Sequence, residues 1–242
     1  MTRKSYRQHC GVARALDVIA ERWTLLIVRN LLLGPRRYSD LLTELPGITT
    51  NLLAKRLREL EGSEIIEKEV LAPPLGVTVY RLTSSGRALE PVIMELGRWG
   101  GRFMATPNRG DTINLGWALL SLKRRYRGGL ARVLEIRADE RRFCLEFLPD
   151  SLVVEERAAE HPDLVLTGAA AVIRALFFEP RGFAELEAAG ELTLSGSRAS
   201  FREVERAFDP PQFGRGPKDQ ALATTRRKLS SRNSSVSSKS EL

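Results

Sequence analysis

The residues with the clearest chemical use lie between Tyr38 and Glu61. Asn51, Lys55 and Arg58 recur at i, i+4 and i+7, which places an amide and two cations on one side of a helix. An amide bonds base edges and a cation meets a phosphate or a guanine, so such a row suits the major groove of a duplex. Leu53, Leu57 and Leu60 repeat at the same interval on the opposite side and predict an inward-packing face. Thr49, just ahead of the run, is placed to cap the helix by accepting a bond from a free backbone N–H. Thr49, Thr50 and Arg56 complete the candidate contact set on this helix. The same charges also fit an ordinary solvated helix face, and the flanking elements decide between the two.

Those elements must hold the row in place. Leu41, Leu42 and Leu45 share a helical face until Pro46 and Gly47 break it, so the stretch from Tyr38 to Leu60 predicts a helix-turn-helix. Alternation from Ile65 to Val70 and from Val77 to Leu82, across APPLG, predicts a hairpin that acts as a wing. Lys68 and Arg81 are its candidate DNA contacts, and the tip from Pro73 to Gly76 is uncharged. Upstream, VARALDVIAERWTLLIVRNLLL predicts two helices meeting near Glu21 and Arg22. One carries a Val12, Leu16, Ile19 stripe and the other a denser stripe of Leu25, Leu26, Val28 and Leu32, with the Trp23 ring between them in the core. Ser84 to Met104 predicts one long helix whose Leu89, Ile93, Leu96 and Phe103, with Trp99 beside them, complete this core or meet a second copy.

A chain of 242 residues with 43% hydrophobic content has enough apolar material for two domains. The formal charge is +8, unevenly spread: +5 over 1–105, −2 over 106–213 and +5 over 214–242. A polyanionic partner therefore suits the N-terminal part and the tail, while the middle has no electrostatic reason to meet one. MTRKSYRQHC has no apolar run behind its charges, and no later stretch approaches the roughly 18 apolar residues of a membrane span, which predicts a cytoplasmic protein without a membrane partner. Cys10 and Cys144, with His9 and His161, form neither a metal motif nor a disulfide framework. No nucleophile, base and orienting group stand at interpretable spacing, so no catalytic residue, metal or cofactor is expected.

Residues 10–104 resemble the HxlR-type winged-helix transcriptional regulators. The resemblance is carried by Cys10, Arg22-Trp23, Tyr38 to Leu41, Gly47-Ile48-Thr49, Arg56-Leu57 to Leu60-Glu61 and Tyr80 to Gly86. It implies a winged helix that binds double-stranded operator DNA as a homodimer. Two positions depart from the pattern: Gly11, where proline usually follows the cysteine, and Thr50, where proline often opens the recognition helix. Some relatives use the first cysteine as a redox sensor; here Cys10 has only Arg7 and His9 near it in sequence.

TPNRGD at 106–111 is rich in breakers and predicts a boundary, which divides the chain into 1–105, a linker at 106–112, a domain at 113–213 and a disordered basic tail at 214–242. Ile113 to Tyr126 predicts a helix ending in Lys123, Arg124 and Arg125, which favour its C-terminus. Strands are predicted at Val133 to Arg137, Phe143 to Leu148, Leu152 to Glu155 and Leu164 to Thr167. A helix from Ala169 to Phe178, a strand from Gly190 to Ser195 and a helix from Ser200 to Phe208 complete an α+β order. Asp163 to Gly168 and Gly190 to Gly196 resemble the sterol-carrier-protein-type (SCP-like) lipid-binding domain. That resemblance implies an apolar tunnel for a hydrophobic small-molecule effector, with Trp117, Phe143, Leu145, Phe147, Leu166, Phe177, Phe178 and Phe183 as candidate lining; the alternative is that these side chains fill a core. The whole chain then reads as a ligand-sensing regulator. A lipid carrier, or a regulator whose second domain only dimerises, are the other readings.

Overall fold

The computed structural model describes residues 5–72, 76–104, 110–179 and 181–210. The wing tip at 73–75, most of the expected boundary segment and the basic tail lie outside the described residues.

The N-terminal part opens with α1 (Gly11–Ile19) and α2 (Thr24–Leu31), which meet at Trp23. Trp23 has φ +79, a left-handed turn that ends one helix direction and starts the next, and its ring packs half-buried on the core. The structure corrects the expected stripes. Val12 and Leu16 are exposed and Ala13 is the buried residue of α1; in α2 the inward face is Ile27, Val28 and Leu31, continued by Leu32, while Leu26 is exposed. A two-residue strand β1 (Arg36–Arg37), not anticipated from the sequence, then leads into α3 (Tyr38–Glu44).

Gly47, at φ +93, turns the chain between α3 and α4 (Thr50–Glu61). The Thr49 hydroxyl accepts from the Leu52 N–H at 3.3 Å, which caps α4 where the sequence places its start. Leu53, Leu57 and Leu60 are buried, as their spacing requires. The wing is β2 (Ile66–Val70) against β3 (Thr78–Leu82), antiparallel, with β1 on the other edge of β3.

The long helix expected from Ser84 to Met104 is two: α5 (Ser84–Arg87) and α6 (Glu90–Gly101). Pro91 has no N–H and fits only the first turn of a helix, so the chain breaks and restarts one residue before it. Gly86 in α5 lies so close to the Ile65 carbonyl that a Cβ would come within 2.1 Å of it, hence a glycine at the exit from the wing.

The C-terminal part contains α7 (Leu115–Ser121), followed by a 3₁₀ turn at Leu122–Arg124. The strands are β4 (Arg132–Ala138), β5 (Arg141–Phe147), β6 (Leu152–Glu155), β7 (Leu164–Gly168) and β8 (Leu192–Ser195), with α8 (Ala170–Phe178), α9 (Phe183–Ala188) and α10 (Arg198–Arg206). The sheet order is β6-β5-β4-β7-β8; β4 and β7 run parallel and the other neighbours antiparallel. The basic run expected to cap its own helix does something else. Arg125 donates to the Phe177 carbonyl at 2.8 Å and so serves the C-terminus of α8, while Lys123 pairs with Glu90.

The described parts of 1–95 and 112–211 form one compact unit, and those of 96–111 belong to a second. Within the first, the apolar cluster is continuous from Ile27 and Leu57 through Leu33 and Leu115 to Phe143 and Phe201. Among the described residues no helix is long and apolar enough to cross a membrane.

Candidate nucleic-acid interface

The recognition face is built from the cap outward. The Tyr38 hydroxyl donates to the Thr50 carbonyl at 2.7 Å, tying the start of α3 to the start of α4 and fixing the angle between them. Thr49, Thr50, Asn51, Lys55 and Arg58 are all exposed. Lys55 lies 3.9 Å from Glu59, a solvated pair that costs little to open.

Arg56 stands apart from the rest of the set. Its side chain is 7% exposed and turns inward, donating to Glu21 at 2.7 Å, to Glu59 and to the Arg22 carbonyl at 3.3 Å. That guanidinium fastens α4 to the junction of α1 and α2. The wing cations are also engaged: Lys68 meets Glu61 at 3.0 Å, and Arg81 lies 3.0 Å from both Glu67 and Glu69. The bond to Glu61 holds the Lys68 ammonium above its ordinary pKa. These wing pairs are solvated like that of Lys55 and cost as little to open.

The candidate ligand-lining residues do not converge on one opening. Phe143, Leu145, Phe147 and Leu166 are closed in the core under the five-stranded sheet, and Phe177 is buried beside them. Trp117, Phe178 and Phe183 are half-buried. Trp117 donates its indole N–H to Asn30, and the Phe183 ring packs against Phe201. A cleft of about 550 Å³ is lined by Arg125, Arg127, Glu179, Glu205 and Phe208, and Phe177 is the member of the candidate set that reaches it.

Cys10 is exposed at the start of α1, where the backbone N–H groups of Ala13 and Val12 lower its thiol pKa. Cys144 is buried, and burial pushes its thiol up to about 11. Among the described residues no group of three or more histidine, cysteine or acidic side chains is placed to hold a metal.

The pattern of the HxlR-like helix-turn-helix family matches residues 18–108. The HTH-type transcriptional regulator YodB of Bacillus subtilis is 36% identical over 99 residues, which cover 41% of this chain and 86% of YodB. The chain belongs to the HxlR-like helix-turn-helix family. Other relatives align with the same part: an uncharacterized HTH-type transcriptional regulator of B. subtilis, YvaP, is 37% identical over 87 residues, 36% of this chain and 80% of its own length. One from Mycobacterium tuberculosis, MT3179, is 38% identical over 105 residues, 43% of this chain and 65% of its own. Among solved structures, reduced YodB superposes with TM-score 0.36 at 33% identity, covering 42% of this chain and 100% of YodB. The redox regulator HypR in its oxidized form gives TM-score 0.36 at 34% identity, over 38% and 94%. Membership makes this a DNA-binding transcriptional regulator.

Proposed function

We propose that this HxlR-like regulator binds operator DNA as a homodimer, with α4 in the major groove and Asn51, Lys55 and Arg58 as its principal contacts. The observation that carries the reading is the division of α4. Leu53, Leu57, Leu60 and Arg56 are buried, while the amide and two cations stand on the solvent side with Thr49 and Thr50 at the leading end. Lys68 and Arg81 of the wing stand in solvated carboxylate pairs, as Lys55 does, and add phosphate contacts beside α4. A 12-residue α6 with no buried residue, exposing Val92, Leu96 and Trp99, supports a dimer seam along that helix.

For the C-terminal part the reading is an SCP-like domain that responds to a hydrophobic molecule. Its support is that the two resembling stretches become β7 and β8, neighbours in register from Val165 opposite Ser195 to Gly168 opposite Leu192. The test is to select duplexes from a random pool with the full chain, then measure affinity for the winner by gel shift with and without a fatty-acid series. A chain that selects no sequence sinks the DNA-reading proposal. A selected operator whose affinity ignores every lipid that calorimetry shows to be bound sinks the sensing proposal alone.

A further inference from the structure

Glu156 follows β6 in the C-terminal part, yet two of its three partners, Leu33 and Arg36, belong to the N-terminal part and lead into α3. Its backbone N–H donates to the Leu33 carbonyl at 2.7 Å. Its carboxylate lies 2.5 Å from Arg36 Nη2 and is held by Arg141 in two bonds, at 2.6 Å from Nε and 2.7 Å from Nη2. Arg36 and Arg141 each have a second carboxylate, Glu44, at 3.4 and 3.7 Å. The result is a neutral square of two arginines and two glutamates.

Its placement gives it a use. Arg36 begins β1, two residues before α3, and Glu44 is the last residue of α3. The square therefore grips α3 at both ends, and the two groups that do so from the other side are Glu156, just past β6, and Arg141, the first residue of β5. Arg36 is 7% exposed, so it cannot exchange its carboxylates for water without leaving a cation stranded. Arg141 reaches further, to the Asn114 side chain at 3.4 Å, and that oxygen also accepts from Gly116 N–H at 2.8 Å to cap α7. One set of charges thus joins α3, α7 and two strands of the five-stranded sheet.

We infer that Glu156 is a positioning residue for DNA reading: through Arg36 and Glu44 it sets the attitude of α3, and Tyr38 passes that attitude to the start of α4. The C-terminal part is then a fixed member of the reading head, and any change in it that moves the end of β6 moves the recognition helix. This rests on the proposal that α4 reads DNA.

The experiment uses the full chain and a duplex selected by the wild-type protein. Glu156→Gln keeps the size and removes the charge. Affinity should fall about 2- to 30-fold, the range over which such coupling acts. The slope of log affinity against log salt should stay at the wild-type value, because no phosphate contact is lost, whereas Lys55→Ala should reduce it by about one unit. Hydrogen exchange of free protein should show faster exchange in the α3 amides. Arg157→Gln is the control, since the neighbouring Arg157 pairs with Glu146 and Glu155 instead; it should change neither. Unchanged affinity and unchanged α3 exchange in Glu156→Gln would overturn the inference. So would an equal loss in the Arg157 variant, which signals general loosening, or a reduced salt slope, which signals direct contact. If Glu156→Gln does not fold, Arg141→Gln, at a more exposed position that leaves Arg36 on Glu156, gives the same readouts. If the wild type selects no duplex, the DNA-reading proposal has failed; α3 exchange, which needs no DNA, then decides the positioning claim by itself.

Discussion

The indole N–H of Trp117 lies 2.8 Å from the side-chain oxygen of Asn30, across 87 residues of chain. Asn30 is fully buried and takes two further donors on the same oxygen, from Arg29 at 3.2 and 3.1 Å. The Arg29 guanidinium in turn lies 3.7 Å above the Trp117 ring, and burial lowers its pKa to about 10 against the opposing charge of Glu44. Trp117 is thus a structural bolt between α2 and α7. Trp117→Phe should remove one of three bonds from a buried acceptor and lower stability by about 0.5 to 1.5 kcal/mol in urea unfolding. An unchanged midpoint would show that the indole N–H contributes nothing there.

Lys55 and Arg56 are sequence neighbours that face opposite ways, one outward and one inward, and their alanine variants should separate cleanly. Lys55→Ala with Arg58→Ala should leave the melting temperature within about 1 °C, as surface changes do, and cost DNA affinity about 1 to 3 kcal/mol per contact. Arg56→Ala should instead lower stability by about 1 to 3 kcal/mol, because it frees Glu21 and Glu59 and leaves the Arg22 carbonyl without its donor. Melting and gel shift on the same preparations decide it; a stable Arg56 variant with lost DNA affinity would return Arg56 to the contact surface.

That contrast shows which part of the molecule is legible in the sequence. The leucine stripe and the cap of α4 are local, and 3.6-residue periodicity carries them fully. Arg56 sits on the boundary between the two faces, where periodicity favours neither, and the partners that draw it inward include Glu21 and the Arg22 carbonyl, 35 and 34 residues away. Arg36 and Glu156 are 120 residues apart, so no spacing rule connects them. The break before Pro91 is readable from the proline itself, but the apolar repeat of Leu89, Ile93 and Leu96 masks it. Strand alternation locates the five-stranded sheet to within two residues at most ends, yet it does not reveal that the apolar faces of both halves share one core.

The square of charges also makes stability depend on pH. For Glu156, burial raises the carboxyl pKa, and the bonds and charges of Arg141 and Arg36 outweigh it, leaving a value below the ordinary 4.5. A lowered folded value means that its contribution is present above the unfolded pKa and is lost as pH falls through the folded one. Glu44 runs the other way: burial outweighs Arg36 and raises it, so its contribution is greatest at low pH and fades as pH rises through the folded value. The gap in melting temperature between wild type and Glu156→Gln should therefore be widest above about pH 5 and close as pH falls below about 4. A gap that stays constant from about pH 3 to 7 would mean the carboxylate charge is irrelevant.

The two thiols should react at very different rates. Cys10 is exposed, with two backbone N–H groups favouring its thiolate, and Cys144 is buried with its pKa at about 11. Iodoacetamide at neutral pH should label Cys10 in the native chain and leave Cys144 until denaturant is added, since the thiolate is the reacting form. Peptide mass mapping at fixed times reads this directly, and early labelling of Cys144 would show that β5 opens far more readily than its burial implies.

Assembly is best tested on α6. Leu96 is 47% exposed and Trp99 55%, and the Trp99 ring meets Phe103, itself 65% exposed, at 4.9 Å between centroids. These apolar side chains, on and just past a helix that buries none of its own residues, are the surface that the proposed dimer would cover. A charge there costs the monomer little and the dimer much. Leu96→Asp should give a folded monomer by light scattering at micromolar concentration, with melting of the monomer nearly unaffected. DNA affinity should then fall about 100-fold or more, because each reading head must bind its half-site without the other tethered beside it. A Leu96→Asp protein that remains dimeric with full affinity would place the seam elsewhere, and Val12 and Leu16, exposed on α1, would be the next surface to charge.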